Sequence, residues 1–218
     1  MATPKAGYFL KDGTKVPGTT TIISRFKDSG GLLHWAFEQG KLAQQGKIQR
    51  LYDKADEAAA IGTQAHEMIE AHLRGKTVQP PADDRAQQAF DNALKWLDQT
   101  KIKIIPEYQE LLMVSEKHRY GGTPDAIGLL GGKLIMLDWK TSNGVYQDYL
   151  IQIAAYKNLW EENFPYKPIE GGYYLCRFAK DFPDFAAHHF AELDDAWEQF
   201  KLFRQAYEID KILKKRAA

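Results

Sequence analysis

The chain has 218 residues, 44% of them apolar and 27% charged, which is room for one well-cored domain, residues 1–218, of ordinary soluble character. Lys plus Arg and Asp plus Glu number 29 each, so no overall basic signature of nucleic-acid binding exists, although a site rich in metal-binding carboxylates would mask local cations in that total. The single cysteine, Cys176, excludes within one chain a disulfide framework, a four-cysteine zinc site and a cysteine-ligated iron–sulfur cluster. No stretch reads as a signal peptide, and no run approaches the roughly 20 apolar residues of a membrane span, so the expectation is a cytoplasmic protein without a membrane partner.

In chain order, residues 7–17 predict a small hairpin turning at Asp12-Gly13. Thr19 to Thr21 can cap a short helix through Ile22, Ile23 and Phe26, which Gly30-Gly31 should break. A second helix through Leu33, Trp35, Ala36, Phe37 and Leu42 is expected to end near Gly46. An alanine-rich helix is expected from about residue 51 to 73, interrupted at Gly62 and stopped at Gly75. Pro80-Pro81 is a loop, and Asp83-Asp84 can cap the next helix, through Phe90, Leu94 and Leu97 to about Thr100.

Beyond Thr100 the pattern becomes strand-like. Residues 102–115 predict one long strand, paired with residues 124–130 across a turn at 117–122. Gly131-Gly132 is a tight turn into an apolar strand over 133–139. A helix over 146–163, strands near 169–178 and 184–190, and a helix over 193–213 complete the order. Lys214-Lys215-Arg216 reads as a solvated tail. The class is α/β: a central mixed sheet flanked by helices (101–218), with a mainly helical N-terminal part (1–100).

The chemistry-bearing residues cluster around Leu-Ile-Met-Leu-Asp138-Trp139-Lys140. Side chains two apart on a strand share a face, so Asp138 and Lys140 emerge together at the end of an apolar strand. Charges left there need a partner or a task. If the strands joined at Gly131-Gly132 are antiparallel, Asp125 arrives beside Asp138. Two carboxylates offer hard oxygen ligands suited to Mg²⁺ or Mn²⁺ beside a phosphodiester, with Lys140 placed to orient water or neutralise charge. The ordinary alternative is a salt-bridged Asp–Lys pair. His66 and Glu70 share a helix face, as do Gln152 and Tyr156, and each taken alone suits a half-buried helix.

Taken in order, Gly62 with His66, Gly122 with Asp125, Asp138 with Lys140 followed by Thr141-Ser142, and Gln152 with Tyr156 resemble the RecB-like branch of the PD-(D/E)XK nuclease superfamily. Val16-Pro17-Gly18-Thr19-Thr20-Thr21-Ile22-Ile23 and Leu33-His34-Trp35-Ala36 are similar to segments of phage and mitochondrial single-strand exonucleases of that branch. The resemblance implies a restriction-endonuclease-like core. It also implies that His66, Asp125, Asp138 and the backbone carbonyl of Trp139 hold one or two Mg²⁺ or Mn²⁺ ions. Lys140 would assist the water, and Gln152 and Tyr156 would support the lysine or the substrate phosphate. Glu110 matches an acid that borders the site in relatives, with Glu107 as a neighbouring competitor. One departure is that many relatives carry four cysteines for an iron–sulfur cluster, which this chain cannot.

The function so implied is a metal-dependent DNA exonuclease preferring single-stranded ends, serving repair, recombination or replication, alone or with a helicase or recombination partner, with a phage gene as one expected source. The alternatives are a structure-specific or restriction-like endonuclease and a catalytically silent nucleic-acid-binding module. Arg25, Lys27, Lys117, Arg119 and Arg177 are candidate phosphate contacts, and Trp35, Tyr120 and Tyr146 candidate stacking platforms.

Overall fold

A computed structural model describes residues 7–27, 30–47, 53–142 and 144–217. Residues 51 and 52, the expected start of the alanine-rich helix, lie outside them. The chain opens with the expected hairpin: β1 (Tyr8–Phe9) pairs antiparallel with β2 (Lys15–Val16). The Thr14 amide donates to Asp12 Oδ1, and Gly13 takes a φ of 81° that a side chain would resist.

Helix α1 (Thr19–Phe26) differs from expectation at its start. Its N-cap is Gly18, without a side-chain cap; Thr19 instead turns inward and donates to the Gly121 carbonyl at 2.9 Å. Gly30 and Gly31 do not separate two helices but form the first residues of α2 (Gly30–Gln44). Helix α3 (Asp53–Leu73) runs through Gly62 without interruption. A Cβ on Gly62 would sit 2.8 Å from Thr141 Oγ1, so the glycine is there to let the helix approach the end of a strand. Helix α4 (Asp84–Thr100) begins as read, Asp83 accepting from the Arg85 amide at 2.9 Å. It buries Ala86, Ala89, Phe90, Ala93 and Trp96, spaced three and four apart along one stripe.

The single long strand expected over 102–115 is three pieces. β3 (Lys103–Ile104) stops short of Pro106, which opens a 3₁₀ turn over Pro106–Tyr108, and β4 (Met113–Ser115) starts afresh. The partner of β4 is β5 (Tyr120–Gly122), whereas β3 pairs with β6 (Ala126–Leu130). β6 then turns at Gly131 and Gly132, both at positive φ, into β7 (Lys133–Lys140). Helix α5 (Gln147–Asn163) crosses over to β8 (Tyr173–Phe178), which lies parallel to β7, and β9 (Phe185–Phe190) pairs antiparallel beside it. Helix α6 (Asp194–Ala217) is longer than expected and takes in Lys214, Lys215 and Arg216 as its exposed last turn.

The main sheet therefore has the order β3-β6-β7-β8-β9, mixed in direction and flanked on both faces by helices, the class read from the sequence. On one face α3 and α4 cover Ala126, Ile135, Leu137, Trp139, Cys176 and Phe178. On the other, α1, α5 and α6 cover Ile127, Met136, Tyr173 and Leu175. β7 is central and buried on both faces, which is why its sequence reads as an unbroken apolar run rather than an alternation. Among the described residues no helix is long and apolar enough to cross a membrane.

Candidate active site

The β6–β7 hairpin fixes the first pair of acids. Ala126 lies opposite Leu137, and continuing that antiparallel register by one residue sets Asp125 across from Asp138. Both carboxylates are buried. The Trp139 amide donates to Asp125 Oδ2 at 2.5 Å, which locks the loop before β6 onto the end of β7. The Trp139 indole points the other way, into the core against Trp96 and Phe178, so only its backbone is available to the site.

His66 reaches the same place from α3, Nδ1 lying 3.3 Å from Asp125 Oδ1. Glu110 comes from the turn after the 3₁₀ segment, and its amide donates to the Asp125 carbonyl at 3.0 Å. One ligand atom each from His66, Glu110 and Asp125 all fall within 4.8 Å of one another. Of the two competing acids, Glu107 is exposed and Glu110 faces the cluster. Asp138 is not in that triad; it faces Lys140, whose Nζ lies 2.5 Å from its Oδ2.

Lys140 is held on several sides. Its ammonium donates to Gln152 Oε1 at 3.0 Å and sits 4.6 Å from the centre of the Tyr149 ring. Gln152 Nε2 in turn donates to the Tyr156 hydroxyl at 2.8 Å. The i, i+4 spacing of Gln152 and Tyr156 thus builds a buried relay from α5 to the strand end. Gly122 leaves room for it: a Cβ there would meet Tyr156 at 2.6 Å and Thr19 at 2.7 Å.

The electrostatics are those of an acid cluster short of positive charge. Burial, then the Asp125 carboxylate, pushes Glu110 up to about 9. Burial raises Asp138 to about 6, Lys140 opposing the rise and Asp125 adding to it. Burial also works against the Asp125 anion, but His66, Lys140 and the Trp139 amide outweigh it and hold the carboxyl low. Burial disfavours the Lys140 ammonium, yet Asp138 and Asp125 together keep it charged, above the ordinary lysine value. Among the described residues, Asp138 Oδ1 is buried with no hydrogen-bond partner, while Asp138 Oδ2 has only the Lys140 ammonium, and Asp125 Oδ1 and His66 Nδ1 have only each other at 3.3 Å. Unsatisfied acceptors of that kind, gathered around hard oxygen and imidazole donors, fit a divalent cation such as Mg²⁺ or Mn²⁺.

Residues without any sequence signal complete the surroundings. Tyr8, from the N-terminal hairpin, packs over Gly121 and contacts Thr123 Oγ1 through its hydroxyl at 3.2 Å. Tyr149 lies under Lys140. Local patterning could reveal neither, because each is brought in by tertiary packing. Among the proposed substrate contacts, Tyr120 is ruled out as a stacking platform, being fully buried with its hydroxyl donating to the Ala155 carbonyl at 2.7 Å. Arg25 pairs with Asp210, Lys27 with Asp148 and Arg177 with Asp184. Lys117 and Arg119 are exposed beyond β4. Trp35 and Tyr146 face a common cleft that also includes Tyr149.

No family model and no curated protein sequence matches the chain. Among solved structures, it is similar to an alkaline exonuclease, LHK-Exo, from Laribacter hongkongensis, at 12% identity over 75% of this chain and 91% of that one, with a TM-score of 0.40. The structure of LHK-Exo in complex with dAMP gives 13% identity over 73% of this chain and 91% of that one, again at 0.40. A likeness this weak assigns no activity.

Proposed function

We propose that this chain is a metal-dependent deoxyribonuclease, an exonuclease that hydrolyses DNA from single-stranded ends. The observation that carries the reading is the meeting of His66, Glu110 and Asp125 beside the buried Asp138–Lys140 pair, an acid cluster with too few cations of its own. His66, Glu110 and Asp125, with Asp138 and the Trp139 carbonyl nearby, would hold one or two Mg²⁺ or Mn²⁺ ions. Such an ion supplies Lewis-acid polarisation of the phosphodiester and a more acidic water.

The chain's own residues do the rest. Water adds to phosphorus, the P–O ester bond breaks, and the leaving oxygen takes a proton. Lys140 keeps its ammonium at the strand end, where it orients the water and offsets charge building on the phosphoryl oxygens. Gln152, Tyr156 and Tyr149 hold that ammonium in place. A cleft of about 670 Å³ is lined by Trp35, Tyr146 and Tyr149, the last of which also contacts the Lys140 ammonium through its ring, and there we place the unpaired strand, its bases against aromatic rings. The preference for free ends and the setting in repair, recombination or replication rest on the motif resemblance alone.

The test uses labelled single-stranded DNA, linear and as a covalently closed circle, with Mg²⁺ or Mn²⁺ and with EDTA. The reading requires metal-dependent loss of the linear substrate and survival of the circle. Cleavage of the circle would make the protein an endonuclease. Binding of both substrates without cleavage under any divalent ion would make it a silent binding module.

A further inference from the structure

Glu110 enters the acid cluster through an unfavourable backbone. Its φ is 49°, in the left-handed region that a non-glycine residue adopts only when its surroundings impose it. The preceding residue adds a second cost: Gln109 is buried, and neither its side-chain oxygen nor its nitrogen has a hydrogen-bond partner among the described residues. A turn carrying both burdens needs tethers, and two are present. One is the Glu110 amide donating to the Asp125 carbonyl at 3.0 Å. The other is Arg74, near the end of α3, whose Nη2 donates to the Gln109 carbonyl at 3.1 Å.

Arg74 is itself oriented. Its Nε lies 2.9 Å from Glu70 Oε1, one helical turn back along α3. Glu70 in turn is one turn beyond His66, so α3 supplies His66 to the cluster, and Arg74, the first residue past its end, whose amide donates to the Glu70 carbonyl at 3.0 Å, reaches the peptide before Glu110. Lysine, with one compact charged group, could not span carboxylate and carbonyl in the same planar fork. From this geometry we infer that Arg74 is a positioning residue, which pins the Gln109–Glu110 turn to α3 and so presents the Glu110 carboxylate to the cation site beside His66 and Asp125. The inference rests on the metal-site reading above.

Calorimetric titration with Mn²⁺ alone, without substrate, tests it. Wild type should bind, and Arg74→Met should bind about tenfold or more weakly, the size of loss usual when a residue orienting a ligand is removed. Arg74→Met also frees the Glu70 charge, so Arg74→Met/Glu70→Gln is needed beside it. Affinity that stays low in the double variant supports a role through the Gln109 carbonyl, and affinity restored to wild type overturns it. On a Glu110→Ala background, removing Arg74 should change Mn²⁺ affinity less than twofold, since nothing remains to be positioned. A further loss there would assign Arg74 a merely structural part. If wild type binds Mn²⁺ and Arg74→Met matches it within twofold, the positioning role falls and the metal site stands. If wild type binds no Mn²⁺, both fall. Should Arg74→Met not fold, Arg74→Lys, which keeps the Glu70 pair, must show the same loss.

Discussion

Removing either end of the Asp138–Lys140 pair has consequences that burial decides. Asp138 is fully buried and Lys140 nearly so, so Lys140→Met leaves a carboxylate without a cation in a low-dielectric setting. Breaking such a pair typically costs about 3–5 kcal/mol, while replacing both members with neutral groups costs far less. Urea unfolding should therefore find Lys140→Met clearly destabilised and Asp138→Asn/Lys140→Met partly restored. Glu110 yields a pH prediction. Its ordinary value of 4.5 rises to about 9 in the fold, so the folded chain keeps a proton that the unfolded chain releases. That contribution to stability is fully present below about pH 4.5 and lost as pH rises towards 9, where the metal-free protein should be weaker. A cation bound at Glu110 must displace the same proton. Mn²⁺ affinity should accordingly climb with pH, by up to about tenfold per unit for this one proton, and level off near pH 9. Titration calorimetry across that range measures it.

At the scale of elements, glycines mark where helices and strands come closest. Gly122 sits in β5 against Tyr156, Thr19 and Leu159, with no space for a methyl group. Gly122→Ala should destabilise by about 1–3 kcal/mol, as overpacking of a filled core does, and should disturb Gln152 and Lys140 through Tyr156. Thermal unfolding beside an activity assay would show both effects together. Several elements were plain in the sequence because their signals are local: the Asp83 cap, the Gly131-Gly132 turn, the apolar run of β7 and the turn at Asp12-Gly13. The misread elements depend on distant partners. Residues 102–115 have strand-like composition throughout, yet Pro106 and the left-handed turn at Glu110 divide them, and β4 finds β5 rather than β6. Gly62 looks like a helix breaker until Thr141 is seen packed against it.

Across the whole molecule, the site is assembled from segments that local pattern cannot join. The register of β6 and β7 that brings Asp125 to Asp138 follows from the hairpin, and so was legible. His66 and the Gln152–Tyr156 pair were placed by motif order, and the packing of α3 and α5 on opposite faces of the sheet explains how they converge on one strand end. Tyr8, Tyr149 and Arg74 had no such signal, because each matters only through a contact made in three dimensions. The balance of charge at this junction also has a global consequence. Since the cation would bind the folded cluster and not the unfolded chain, saturating Mn²⁺ should raise the melting temperature and EDTA should reverse the rise, while Asp125→Asn should be far less responsive.

The most direct measurement is the Mn²⁺- or Mg²⁺-dependent release of nucleotides from end-labelled single-stranded DNA by wild type, Asp125→Asn and Lys140→Met, each shown to be folded by circular dichroism. Wild type should release nucleotides rapidly and not at all in EDTA, and both variants should lose at least about 100-fold. Undiminished release by either folded variant, or none by wild type with either ion, would contradict it.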